Sequence, residues 1–257
     1  QGLENSCNPF FITIGQKLGV HKYFQYFQGF GFSQKTGIDL PGEAAPQYYK
    51  ENQYGIVELS SASFGQTNSL TPIQVCTGLC AIANGGMLVK PYVVSEIKDE
   101  DGNTVSKTKT TEVRRVISKD TSEKVRKMMK SVVDNGTGKN GYVAGYSVGG
   151  KTGTSTKLAE SSNGNKYIVS FAAIAPSDDP EIAMLIICDE PNQDLGGGAL
   201  CAPIAAEVVE QAMTELNIEP KYSESELKKL SVNTPSVVGS TVEAAESKLT
   251  SAGLTYK

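Results

Sequence analysis

A chain of 257 residues can bury a sizeable core and has room for one large domain plus a small appendage. A formal net charge of −4, a pI near 5.2 and the lack of any basic cluster exclude a nucleic-acid surface. Apolar runs such as IAMLIIC are far too short to span a bilayer. The single histidine excludes a two-histidine metal site and a two-histidine acid–base pair, so acid–base chemistry falls to lysine or a carboxylate. Five cysteines without CxxC spacing imply no disulfide framework.

No signal peptide or initiator methionine opens the chain, and Gln1 falls in sequence that reads as helical, so a longer natural N-terminus is expected. Residues 9–28 read as one helix with Pro9 in its first turn, and His21 lies there as a packing or surface residue. The Gly- and Pro-rich GFGFSQKTGIDLPGE follows, which makes its Lys35-Thr36-Gly37 part of a loop. LTPIQVCTGLCAIANGG reads as a buried helix with Pro72 near its start and Asn84-Gly85-Gly86 as its stop. Cys76 and Cys80 share one face of it, as small packing residues rather than a metal pair. Alternation from Val89 to Val116 around DEDGNT predicts a hairpin turning at Asp101-Gly102. Residues 119–133 form an amphipathic helix with Val125, Met129, Val132 and Val133 inward.

SVGGKTGTST then reads as a strand with alternating β-branched residues. After polar residues 157–166, YIVSFAAIAP and EIAMLIICDEP continue it as antiparallel strands with a turn at Asp178-Asp179-Pro180. The last strand is apolar on both faces and is expected at the centre of the sheet. Gly196-Gly197-Gly198 leads into a helix with Pro203 in its first turn and an apolar face of Ile204, Val208, Ala212 and Leu216. The expected fold is α+β, an antiparallel sheet flanked by helices. Residues 1–216 make the main domain and polar residues 217–233 a linker. Residues 234–257 read as a short strand, a turn and a helix with capping-box spacing at Ser240 and Glu243 and a stop at Gly253. That tail is too short for its own core and reads as the first half of a module.

Only the second KTG, Lys151-Thr152-Gly153, rides on a strand rigid enough to hold a site. With Thr154 it offers an ammonium, two hydroxyls and a glycine that lets another backbone approach. Such an edge can hydrogen-bond an extended peptide as an added strand and hold its terminal carboxylate.

GGKTGTS with its two following strands resembles the active-site strand of penicillin-binding proteins, the serine D,D-transpeptidases of cell-wall synthesis. That family carries an S-x-N motif well before KTG, and Ser6-Cys7-Asn8 stands in that order here. TGIDLPGE, SFGQTNSLTPIQ, ANGG, DNGTG and the Ala-Pro of the last helix are similar to segments of the class B enzymes, of the sporulation and division type found in clostridia-like bacteria. The tail resembles the start of a PASTA domain. The resemblance spans essentially the whole chain and implies the penicillin-binding protein transpeptidase fold, shared with serine β-lactamases.

It further implies that Ser6 belongs to the proton relay near the nucleophile and that Asn8 bonds the substrate backbone. Lys151 would polarise Ser6, Thr152 and Thr154 would bind the substrate carboxylate, the Thr154 N–H would be an oxyanion donor, and Gly153 would keep the strand edge open. The family's nucleophile, the serine of an S-x-x-K motif ahead of S-x-N, has no counterpart in place. The strings Ser95–Lys98, Ser106–Lys109 and Ser225–Lys228 all come after it, in the hairpin and the linker. The resemblance therefore implies a fragment cut before its nucleophile and inactive alone. Its parent would be anchored at the extracytoplasmic face of the membrane by an N-terminal segment, with peptidoglycan stem peptides as substrates and β-lactam antibiotics as ligands. A membrane glycosyltransferase would be its partner through the missing part. A β-lactam hydrolase shares the KTG strand, against which the class B segments and the tail weigh, and a non-catalytic muropeptide-binding fragment is a third reading. No cofactor is required. Cys188 and Cys201, across the glycine-rich loop, are open to three readings: packing thiols, a disulfide, or two zinc ligands completed by Asp189 or Asp194.

Overall fold

The computed structural model describes residues 1–157, 166–192, 195–230 and 234–254. Residues 2–6 are turns rather than helix, with the Ser6 N–H donated to Leu3 O and the Cys7 N–H to Gly2 O. The expected single helix over 9–28 is two, α1 (Asn8–Leu18) and α2 (Val20–Gly29). Gly19 between them takes φ 80° and ψ 159°, which ends the first ladder and restarts the second at a new angle. Phe24 and Phe27 of α2 are buried against Tyr54 and Tyr48, whereas His21 is exposed and meets Glu51 at the surface.

Helix α3 (Ile56–Ser63) packs on α1, and α4 (Pro72–Ala83) follows. The α4 start is a reciprocal cap in which the Thr71 hydroxyl accepts from the Gln74 N–H and Gln74 Oε1 accepts from the Thr71 N–H. Its stop is the expected one, with Gly85 and Gly86 at φ 85° and 102°. A Cβ on Gly86 would lie 2.0 Å from the Ile117 carbonyl oxygen, so only glycine fits. The predicted hairpin is two nested ladders, β1 (Met87–Lys90) on β4 (Thr111–Arg115) and β2 (Glu96–Lys98) on β3 (Thr104–Lys107). Helix α5 (Lys119–Asn135) turns Met129, Val132 and Val133 inward as the periodicity requires, with Val125 half-buried.

The main sheet is β5 (Gly149–Thr156), β6 (Tyr167–Ala175) and β7 (Ile182–Asp189), antiparallel and in that spatial order. The central strand is therefore β6, with Val169, Phe171, Ala173 and Ala175 buried, and not β7 as expected. Strand β7 is apolar on both faces because α4 lies on one of them and α6 (Gly197–Glu215) on the other. Covered faces do not report what lies beside a strand.

Two expectations about α6 also change. It begins at Gly197, so Pro203 sits one turn further in than predicted. Its inner face is Cys201, Ala202, Ala205, Val209 and Met213, and the larger Ile204, Val208 and Leu216 are exposed. At the start of the helix only small residues face the sheet, because it lies so close there: a Cβ on Gly197 would fall 2.0 Å from the Ser170 carbonyl oxygen.

The segment read as a linker is tied down. Tyr146 donates to Ile218 O, the Lys221 N–H to Gly145 O at 2.6 Å, and residues 224–230 form α7 (Glu224–Leu230). Glu226 accepts from Tyr142, the Gly145 N–H and the Ser223 N–H. In the tail, 234–239 form no strand, and α8 (Val242–Ser251) is capped by Thr241 rather than Ser240. Gly253, at φ 74°, follows its end as expected. Asp194 and most of polar segment 157–166 lie outside the described residues.

Candidate active site

Strand β5 carries the second KTG along an edge that no other strand pairs among the described residues. Its position is fixed from beneath by glycines. Gly150 rests on the fully buried Phe171 ring, where a Cβ would be 2.2 Å from Cζ. At Gly153 a Cβ would fall 2.4 Å from Ser170 Oγ on β6, and at Gly197 one would also meet the Gly153 carbonyl oxygen at 2.9 Å. A side chain at Gly153 would thus displace the Ser170 hydroxyl, and it is Gly197 that lets the start of α6 approach the Gly153 carbonyl.

The Lys151 ammonium leaves β5 towards the first turns of the chain. It donates to Ser6 Oγ at 2.8 Å, across 145 positions of sequence, and to the Thr152 carbonyl at 2.7 Å and Thr152 Oγ1 at 3.4 Å. These three contacts use all three ammonium protons. Burial pushes the Lys151 pKa below its ordinary value. Ser6 is presented by a backbone at φ 49°, which a serine adopts only under local constraint. That constraint is visible: Glu4 accepts from Ser131 Oγ at 2.5 Å, and its carbonyl accepts from the Thr137 N–H at 2.9 Å, fastening the turn to the end of α5.

These groups line a cleft of about 1060 Å³ that also contains Asn8, Thr137, Thr152, Thr154 and the Gly196–Gly198 start of α6. The site residues expected from sequence, Ser6, Asn8, Lys151, Thr152, Gly153 and Thr154, all border this one space. The amide of Asn8, at the first turn of α1, is exposed to the cleft. The N-terminus of the 19-residue α6 adds partial positive charge to the Lys151 ammonium, which suits the cleft to a carboxylate. Thr137, Asn140, Gln66 and Ser155 also line it and were not singled out from sequence. Thr137 lies inside DNGTG, but its tie to Thr152, Oγ1 to Oγ1 at 3.0 Å, joins separate elements and leaves no local pattern.

The first KTG is a loop, as expected. The Thr36 N–H, the Thr36 hydroxyl and the Gly37 N–H all donate to the Glu43 carboxylate. None of Ser95, Ser106 and Ser225 borders the cleft; Ser225 lies on α7 rather than in an unstructured linker. Cys188 and Cys201 are free thiols that pack together, with Cys201 Sγ 3.6 Å from the Val169 carbonyl oxygen. Burial pushes the Cys201 thiol up, and Asp189 is paired with Lys157. Among the described residues no group of three His, Cys, Asp or Glu side chains gathers in a metal-binding arrangement. No helix there is long and apolar enough to cross a membrane.

Fold and site together place the chain in the class of α+β proteins whose KTG strand walls an open cleft. Residues 1–210 match the model of the penicillin-binding protein transpeptidase domain, and the chain belongs to that family. Stage V sporulation protein D of Bacillus subtilis (strain 168) is 40% identical over 255 residues, covering 96% of this chain and 40% of that protein. Penicillin-binding protein PbpB of Mycolicibacterium smegmatis is 30% identical over 225 residues, covering 83% of this chain and 35% of its own length. Among solved structures, penicillin-binding protein 3 of Mycobacterium tuberculosis complexed with aztreonam superposes with a TM-score of 0.78 at 28% identity, over 85% of this chain and 51% of that one. The fold is that of the penicillin-binding protein transpeptidases. The chain spans about 40% of the first of these curated relatives, so it corresponds to part of such a protein.

Proposed function

We propose that this chain is the KTG-bearing portion of a peptidoglycan D,D-transpeptidase. The observation that carries the reading is the 2.8 Å contact from Lys151 Nζ to Ser6 Oγ, which joins KTG and S-x-N in one cleft. In the proposed reaction a serine hydroxyl attacks the penultimate D-Ala carbonyl of a stem peptide. The peptide C–N bond breaks, terminal D-Ala leaves as the amine with a proton, and an acyl-serine remains. The amine of a neighbouring stem then displaces the serine oxygen, which regains a proton.

Lys151 holds Ser6 in the relay that moves these protons and supplies positive potential. Thr152 and Thr154 bind the terminal carboxylate, Asn8 bonds the donor peptide backbone, and the Thr154 N–H donates to the developing oxyanion. Gly153 lets the peptide lie along the edge of β5. On this reading the acylated serine lies in sequence outside these 257 residues; what supports it is that none of the S-x-x-K serines Ser95, Ser106 and Ser225 borders the cleft.

The same reading makes β-lactams ligands, since they imitate D-Ala-D-Ala, and the mycobacterial relative forms a complex with one of them, aztreonam. It places the parent at the extracytoplasmic face of the membrane, held by an N-terminal anchor beside a glycosyltransferase. It also takes 234–257 as the opening of a PASTA module. The reaction needs no metal or organic cofactor. Labelled penicillin is the direct test: covalent capture by the parent protein supports the reading, and a parent that is never acylated refutes it.

A further inference from the structure

Thr137 sits where three elements of the cleft meet. Its N–H is donated to the Glu4 carbonyl at 2.9 Å, at the turn that presents Ser6. Its own carbonyl lies against the start of α6, where a Cβ on Gly198 would come within 2.4 Å of it. Its side-chain oxygen is 3.0 Å from Thr152 Oγ1. The backbone is thus held from two sides, and the hydroxyl lies beside that of the KTG threonine.

A hydroxyl has one proton and two lone pairs. Thr152 Oγ1 already accepts from the Lys151 ammonium at 3.4 Å. If the second lone pair accepted nothing, the Thr152 proton would be free to swing towards Thr137. A hydrogen bond donated by Thr137 fills that lone pair, and the Thr152 proton is left to point away from both donors, into the cleft. Polarised by two donors, it also becomes the stronger donor itself.

We propose that Thr137 is a positioning residue for substrate carboxylate recognition: its hydroxyl donates to Thr152 and aims the Thr152 proton at the carboxylate of the peptide or β-lactam. This role rests on the transpeptidase reading of the site and names a determinant of its specificity for a free carboxylate.

The test compares acylation of the parent protein by a penicillin and by the methyl ester of the same penicillin. Thr137→Val keeps the shape of the side chain and the backbone N–H to Glu4 but removes the donor. It is expected to slow acylation by the free acid about five- to tenfold, the worth of one hydrogen bond, through weaker binding rather than a slower limiting rate. The ester reaction should be left nearly unchanged, and Thr137→Ser should restore most of the loss. Equal losses for acid and ester, or a loss that serine does not restore, would assign Thr137 a structural role and overturn the proposal, as would an unaffected Thr137→Val. A wild-type parent that neither compound acylates would instead overturn the transpeptidase reading on which it stands.

Discussion

Placing a methyl group at Gly150 tests how the KTG strand is held. The added Cβ would lie 2.2 Å from Phe171 Cζ and 2.9 Å from Cε1 and Cε2. The ring has no exposed surface and is also wedged under Gly141, where a Cβ would stand 2.8 Å from Cζ, so it cannot retreat. Gly150→Ala should therefore destabilise by about 1–3 kcal/mol, the usual range for overpacking a filled core. All three clashing atoms are ones that leucine lacks. Phe171→Leu alone should cost about 1–2 kcal/mol through the space it leaves. The double variant should cost less than the sum, with a coupling of at least ~1 kcal/mol between touching sites. Urea unfolding of the four proteins, followed by circular dichroism, measures each term. Additive losses, or a Gly150→Ala protein as stable as wild type, would refute the claim that β5 rests directly on an immovable ring.

Helix α7 should be held by a pH-dependent latch. Hydrogen bonds from Ser223, Tyr142 and Gly145 hold the Glu226 carboxyl at about 2, against an ordinary 4.5. A lowered folded-state value means the carboxylate stabilises the docked segment above pH about 4.5 and loses that effect as pH falls towards 2. Hydrogen exchange at the Gly145 and Lys221 amides should accelerate over that window in wild type more than in Glu226→Gln, which is loosened throughout; identical profiles would count against the latch. Metal analysis of purified protein should find no stoichiometric zinc, because the Cys201 thiol is buried against Val169 and Asp189 is engaged by Lys157; one bound zinc removed by a chelator would reverse that assignment.

What could be read from the sequence was whatever local chemistry dictates. Pro72 and Asn84-Gly85-Gly86 bracket α4 because helix starts and stops are settled within a few residues. Asp101-Gly102 turns its hairpin for the same kind of reason, with Gly102 at φ 83°. Long-range fit was not legible. The first turns of α6 turn Cys201, Ala202 and Ala205 inward because the helix start presses on Ser170, and a reading that followed Ile204, Val208 and Leu216 picked the exposed face instead. Strand β7 displayed its two covered faces but not its lateral neighbours. At the site, Lys151-Thr152-Gly153 stood out by its chemistry, yet its meeting with Ser6 across 145 positions was accessible only through family resemblance. Thr137 was hidden because its role arises from contacts to Glu4, Thr152 and Gly198, three elements with no shared sequence pattern.

The central claim is that this cleft serves a serine supplied from outside these residues. Labelled penicillin incubated with the 257-residue chain alone should leave no covalent label. The parent protein should be labelled at one S-x-x-K serine outside these residues, and Lys151→Met in that parent should slow labelling by about 10²-fold or more, as for loss of a proton-relay group. Covalent label on Ser6, or on any other serine of this chain, would contradict the account.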